Sequence, residues 1–191
     1  MARPKQVSDE DLVATARRVF LEKGPQVSVG VIARRLKVSP ASIFHRVRTK
    51  NKLLVLALWP ADPPELLQFQ RGPMPAGDSP KEQLIALLTG LNAYFATAVP
   101  ALFLLVSAGV PMRPTKARGK NKDDPMQIRL RAALAQWLVR GSAVPSAAAL
   151  AAADTLLGAI EARYMHVYLG GIKSTPAADR KYVRDLVELV L

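Results

Sequence analysis

The chain has 191 residues, half of them hydrophobic, no cysteine and a net charge of +12. This length suits one large domain or a small one joined to a larger one, and the lack of cysteine excludes disulfides and thiolate-bound metals. Of the excess charge, +8 falls in residues 1–60 and +4 in residues 61–191. A localised basic field attracts a polyanion by steering and counterion release; a basic solvated surface is the plain alternative. The opening MARPKQVSDEDLV lacks the apolar run of a signal peptide. With the missing cysteines, this fits a cytoplasmic protein.

In chain order the pattern is helical throughout. Ser8 with Asp11 resembles a capping box that uses the shorter acid, and Leu12, Ala16, Val19 and Phe20 line one apolar face. Lys23-Gly24-Pro25 ends that helix, because glycine suits the left-handed position and proline cannot continue. Ser28 caps a short second helix whose inner face is Ile32, Ala33 and Leu36. Ser39 caps a third, with Pro40 in its first turn and Ile43 and Val47 inward. Thr49 caps a fourth that runs to Trp59, where Pro60, Pro63 and Pro64 stop it. A short segment near 64–70 and a Pro/Gly-rich loop at 71–78 follow. Then come helices at about 80–98, 101–109, 125–140, 146–169 and 177–190, with a basic, mobile loop expected at 113–124. Ser79-Pro80 and Thr175-Pro176 are both cap-plus-first-turn signatures. No segment alternates like a strand, and there is no internal repeat.

Residues 83–112 carry no charge and are long enough to span a bilayer. Thr89, Gly90, Asn92, Thr97 and Pro100 interrupt the run, and Pro100 is expected to break it into two helices of globular size. The stretch therefore reads as two core helices of a soluble domain, with a membrane-associated helical protein as the competing reading.

Residues 27–54 hold seven Lys and Arg around two helices too short to be stable alone. Two helices joined by about four residues, the second capped by Ser-Pro, form a helix-turn-helix. Its second helix enters the major groove with its N-terminal end foremost. On that reading Ser39, Pro40, Ala41, Ser42 and His45 face base edges, and their small size lets the helix approach closely. Ser28, Lys37, Arg46, Arg48 and Lys50 meet phosphates, which fix register but carry no sequence information. Phe44 belongs either to the core or to the DNA-facing set. The plainer readings are that Ser28, Ser39 and Thr49 are only caps, and that Arg34 and Arg35 are solvated helix residues.

Residues 8–59 resemble the N-terminal domain of the TetR family of transcriptional repressors. The resemblance rests on Ala16, Phe20 and Gly24 in the first helix and Ile32-Ala33 in the second. It continues with Val38-Ser39 at the turn, Ile43-Phe44 in the third helix, and Lys50 with Leu53 in the fourth. The family usually has Tyr where Phe44 stands, His then Phe where Arg46 and Val47 stand, and Gly where Lys37 stands. The resemblance implies that Phe44 lacks a phosphate-bonding hydroxyl that Arg46 replaces by a charge contact. It also implies that Lys37 adopts a left-handed conformation at about 1 kcal/mol.

The resemblance further implies an all-α protein of two parts: a DNA-binding domain over residues 1–59, and a domain over 60–191 that binds a small ligand and forms a homodimer through the last two helices. Leu150, Leu157, Tyr168, Tyr182, Leu186, Leu189 and Val190 are the expected dimer residues, and the alanines at 147–149 and 151–153 permit close helix approach. The alternative is that these helices only close the chain's own core. Phe95, Leu102, Phe103, Val106, Met126, Trp137, Glu161 and Tyr164 are the expected ligand-lining set. Glu161, a lone acid in an apolar helix, suits a cationic or hydroxylated ligand, or an arginine such as Arg163. The partners implied are a palindromic double-stranded DNA operator, a small effector and a second copy, with no membrane. The two histidines, His45 and His166, fall in no metal-ligand or catalytic spacing, and no Gly-rich phosphate loop follows a strand. Enzyme activity, a cofactor and a metal are therefore not expected. A protein that coats DNA without sequence preference remains as the second alternative.

Overall fold

The computed structural model describes residues 7–74, 79–111, 125–141 and 144–191. Regular structure among the described residues is entirely helical. Four short helices come first: α1 (Asp9–Lys23), α2 (Val29–Leu36), α3 (Pro40–Val47) and α4 (Lys50–Leu58). Each begins at a residue the sequence marks. Ser8 accepts from the Asp11 amide at 3.0 Å, Ser28 from Gly30 at 3.2 Å, Ser39 from Ser42 at 3.1 Å and Thr49 from Lys52 at 3.1 Å. Each cap contributes about 1 kcal/mol, which matters for helices of two turns.

α5 (Pro64–Arg71) follows the proline-rich joint, and α6 runs from Pro80 to Ser107. The expected break at Pro100 does not occur: α6 is one 28-residue helix with Pro100 inside it. Proline removes one intrahelical N–H bond and crowds the preceding turn. Here burial on both sides outweighs that local cost, since Phe95 and Ala98 before it and Ala101 and Leu105 after it are all buried. Among the described residues, α6 is the one helix long and apolar enough to cross a membrane by length and composition. α7 (Met126–Gly141), α8 (Ser146–Tyr168) and α9 (Pro176–Val190) complete the chain, and Thr175 caps α9 through the Ala178 amide at 3.2 Å.

The chain divides into two compact units: residues 1–60 with 100–113, and residues 61–99 with 114–191. The sequence expectation placed one cut near residue 59; the described residues 100–111 group with the first unit. The core of that unit joins Leu12, Ala16, Val19 and Phe20 of α1 to Ile32, Ile43, Leu53, Leu54 and Leu58, and takes in Ala101, Leu105 and Val110. The second unit is built on Leu66, Phe69, Leu84, Leu88, Leu91, Leu134, Trp137, Leu156, Ile160, Val183 and Val187. The 113–124 loop expected from sequence lies outside the described residues, as do 75–78 of the 71–78 loop.

Candidate functional site

α2, the turn at 37–39 and α3 form the helix-turn-helix. Val29, Ile32 and Ala33 of α2 and Ile43 and Val47 of α3 are buried, so the remaining α3 side chains face outward. Ser39, Pro40, Ala41, Ser42, His45, Arg46 and Arg48 are all exposed, as are Ser28 and Lys37, and Lys50 is half-buried. Phe44 is 39% exposed and lies outside the core. The Ser39 and Ser42 hydroxyls lie 2.9 Å apart, tying the first turn of α3 together.

The turn is held by backbone geometry. Lys37 sits at φ 56, ψ 42, in the left-handed region. Its amide bonds Arg34 O at 3.2 Å and the Val38 amide bonds Ala33 O at 3.0 Å. That is a Schellman cap with lysine where glycine is preferred. Arg48 is the other non-glycine at positive φ among the described residues, at φ 66, ψ −49. The Thr49 amide reaches back to Val47 O at 2.8 Å, closing a γ-turn with Arg48 at its apex. Both strained residues are basic and exposed, and they bracket α3.

The arginines divide. Arg35 pairs with Glu22 at 2.7 Å, which holds the Glu22 carboxyl below its usual range. Arg46, expected at a phosphate, turns toward its own chain: Nη1 donates to Val7 O at 2.6 Å and to Asp9 at 3.3 Å. It fastens the approach to α1 onto α3, a contact across 39 residues that no local pattern signals. Arg48, Lys37 and Lys50 keep the outward basic character.

The expected ligand set divides between the units. Leu102 packs against the first unit's core, Phe103 is half-buried and Val106 is exposed, all in the α6 segment that belongs to that unit. Phe95, Trp137 and Tyr164 are buried together in the second unit's core with Met126 packed on it, and Glu161 lies half-buried one turn before Tyr164. Arg163 is not the partner of Glu161. Its guanidinium meets Asp179 Oδ1 at 2.7 and 3.1 Å and lies 4.5 Å above the Tyr182 ring. No hydrogen bond or ion pair with a described residue reaches Glu161, and burial pushes its carboxyl above the usual range.

Asn92, Ser174 and Asp179 were missed by sequence reasoning. Asn92 is 2% exposed, and its Nδ2 donates to the Tyr164 hydroxyl at 3.3 Å. Ser174 donates to Asp179 Oδ2 at 2.5 Å. Asp179 only accepts, being paired with Arg163. Ser174 therefore gives it its one hydrogen. With its amide nitrogen on Tyr164, Asn92 leaves Oδ1 buried without a donor among the described residues. Only the solitary Asn92 within an apolar run hinted at this in the sequence.

The expected dimer residues also divide. Leu157 and Leu186 are buried in their own core, Val190 packs on it, and Tyr182 donates to Ala159 O at 3.0 Å. Leu150, Tyr168 and Leu189 are exposed, Leu189 by 80%. An amphipathic pattern does not say whether an apolar face meets its own chain or another. Ala148, Ala151, Ala152, Thr155, Leu189, Val190 and Leu191 line an apolar groove of about 470 Å³ along α8 and α9.

Residues 12–57 match the family model of bacterial regulatory proteins, tetR family. No curated protein sequence matches the chain. Among solved structures, the chain is similar to a TetR-like transcriptional regulator from Rhodococcus sp. RHA1. That likeness has a TM-score of 0.60 at 20% identity and covers 98% of this chain and 97% of that one. It is also similar to Mycobacterium smegmatis AmtR, with a TM-score of 0.56 at 19% identity over 97% of this chain and 88% of that one.

Proposed function

From a chain with the DNA-binding domain and the fold of TetR-family transcriptional regulators, we propose a cytoplasmic homodimeric repressor that reads a palindromic operator with α3 and releases it on binding a small effector. The observation that carries this is the outward face of α3. Ile43 and Val47 anchor the helix, while Pro40, Ala41, Ser42, Phe44 and His45 stand exposed between the strained basic residues Lys37 and Arg48. Small residues at the N-terminal end allow close approach to base edges, and flanking cations suit phosphates.

The dimer reading is supported by the exposed Leu150, Tyr168 and Leu189 and the alanine-lined groove on α8 and α9. A second copy places two α3 helices on half-sites one DNA turn apart. The effector acts only to the extent that it prefers the state unable to bind DNA.

Binding to genomic duplex fragments with excess competitor, at two salt concentrations, tests the reading. The expected result is one fragment retained far more tightly than the rest, containing a palindrome. Equal binding of all fragments, lost together as salt rises, sinks it in favour of non-specific coating. Sedimentation of Leu189→Glu reads the dimer: the variant should run as a monomer at concentrations where the parent is dimeric.

A further inference from the structure

We propose that Arg46 is a positioning residue for operator reading: bonded to the Val7 carbonyl, it holds α3 at one rotation, and so sets base discrimination without itself meeting a phosphate. This rests on the DNA-binding function proposed above and assigns one determinant of its specificity.

α3 has eight residues and two buried side chains, Ile43 and Val47. These lie four residues apart, so they form a single line along the helix. A two-turn helix held along one line resists sliding but can roll about that line. The exposed side chains opposite the line, Ala41 and His45 among them, travel farthest in such a roll. Long cationic side chains can follow a phosphate through it. Short ones such as Ala41 and Ser42 cannot follow a base edge, where placement must hold to within about 0.5 Å. Discrimination between bases therefore needs a further hold, away from the line.

Arg46 supplies it. It shares one flank of α3 with Ser42, four residues earlier. Its Nη1 donates to Val7 O at 2.6 Å, a charge-assisted bond and therefore one of the stronger kind. Val7, Leu36, Val38, Ser42, Ile43 and Arg46 together line one small cleft. The approach to α1, the turn after α2 and the flank of α3 thus meet at one place, and Val7 packs there on the core of the first unit. The contact with Asp9 adds little, because it is longer, at 3.3 Å, and the Asp9 side chain is 86% exposed. The Val7 carbonyl is the partner that matters. It belongs to the backbone, so the hold acts on the path of the chain rather than on a mobile side chain.

The test compares the full-length parent with Arg46→Met and Val7→Gly on two labelled duplexes: the palindrome from the retained fragment and a scramble of the same length and composition. Anisotropy titrations are run well below each melting temperature, so that a general loss of stability does not enter. Methionine keeps an aliphatic stem and removes the donors. In Arg46→Met the palindrome-to-scramble affinity ratio should fall ~10-fold, and the slope of log affinity against log salt should stay as in the parent. A phosphate contact predicts the reverse, an unchanged ratio with a slope shallower by about one unit, and that result overturns the proposal. Val7→Gly alters no charge and loosens the same hold, so the ratio should fall in this variant too. Combined with Arg46→Met it should cost little more. A ratio unchanged in either single variant, or effects that simply multiply in the double variant, would overturn the proposal. Hydrogen exchange without DNA gives an independent measure. The amides of Phe44 to Arg48 should exchange ~10-fold faster in Arg46→Met, while those of Val19 and Phe20 in α1 keep the parent rate. Equal exchange in parent and variant overturns the proposal whatever the DNA result. A parent that binds both duplexes alike breaks the operator reading instead, and the exchange rates then decide the role of Arg46 alone.

Discussion

In the first unit, Ser8, Ser28, Ser39 and Thr49 each meet an amide two or three residues away. In the second, Asn92 reaches Tyr164 across 72 residues, and Arg163 and Ser174 converge on Asp179, which is 9% exposed. The first unit spends its polar groups locally and on the surface. Its long-range polar contacts run from arginines at the surface: Arg17 to Ala57 O, Arg46 to Val7 O and Asp9, and Arg35 to Glu22. The second unit buries polar groups joined across the chain and leaves Asn92 Oδ1 and Glu65 Oε2 without donors among the described residues. A surface built from local caps can change its exposed residues without disturbing its fold, which suits a reading face. A buried, incomplete polar set responds to whatever completes it, which suits an effector region.

The largest effect expected from that contrast is at Arg163. Replacing it by Met leaves the Asp179 carboxylate buried and unpaired, which costs about 3–5 kcal/mol, or ~10 °C in melting temperature. A small loss, measured by thermal or denaturant unfolding, would mean the buried set is not coupled and the two units do not differ as described. Second is Ala41→Glu on the outward face of α3. A carboxylate there meets the phosphates, so specific DNA affinity should fall ~100-fold, about 2.7 kcal/mol, with the melting temperature unchanged. Anisotropy titration at fixed salt beside a thermal melt checks both. A parallel loss of stability would show that the reading face also supports the fold.

How legible each unit was follows from the same distances. The caps could be read because cap and partner lie in one turn, and the left-handed Lys37, at φ 56, was implied by the resemblance, which puts glycine there. The outward set on α3 followed from the inward pair, Ile43 and Val47. Pro100 was misread because a local rule was applied to a helix stabilised by burial on both sides. The intrachain contacts of Arg46 could not be read because its partners lie 39 and 37 residues back. The partner of Asn92 lies 72 residues on, and no periodicity links the two. Leu157 and Leu186 could be recognised as apolar, but which surface they meet is decided by packing.

Lys37→Gly sharpens the comparison on the side of the first unit. Glycine takes the left-handed position freely, so the fold should gain about 1 kcal/mol. If Lys37 meets a phosphate, the slope of log affinity against log salt should also become shallower by about one unit. Stability and affinity would then move in opposite directions at one exposed residue. A gain in stability with an unchanged slope would assign Lys37 to the turn alone.

The smallest effect is at Glu161, and its sign is fixed by burial. The folded-state pKa is raised above the unfolded value because the carboxyl is half-buried without a partner. Below about pH 4, where the unfolded carboxyl is also protonated, both states carry the neutral acid and no penalty arises. As pH rises past the unfolded value, the unfolded chain releases the proton more readily, and the folded state loses stability until its own carboxyl ionises. Glu161→Gln removes this dependence, so the variant should gain on the parent between pH 4.5 and 7.5 in paired thermal melts. An equal difference at both pH values would mean that Glu161 is solvated, and the second unit would have one unfilled acceptor fewer.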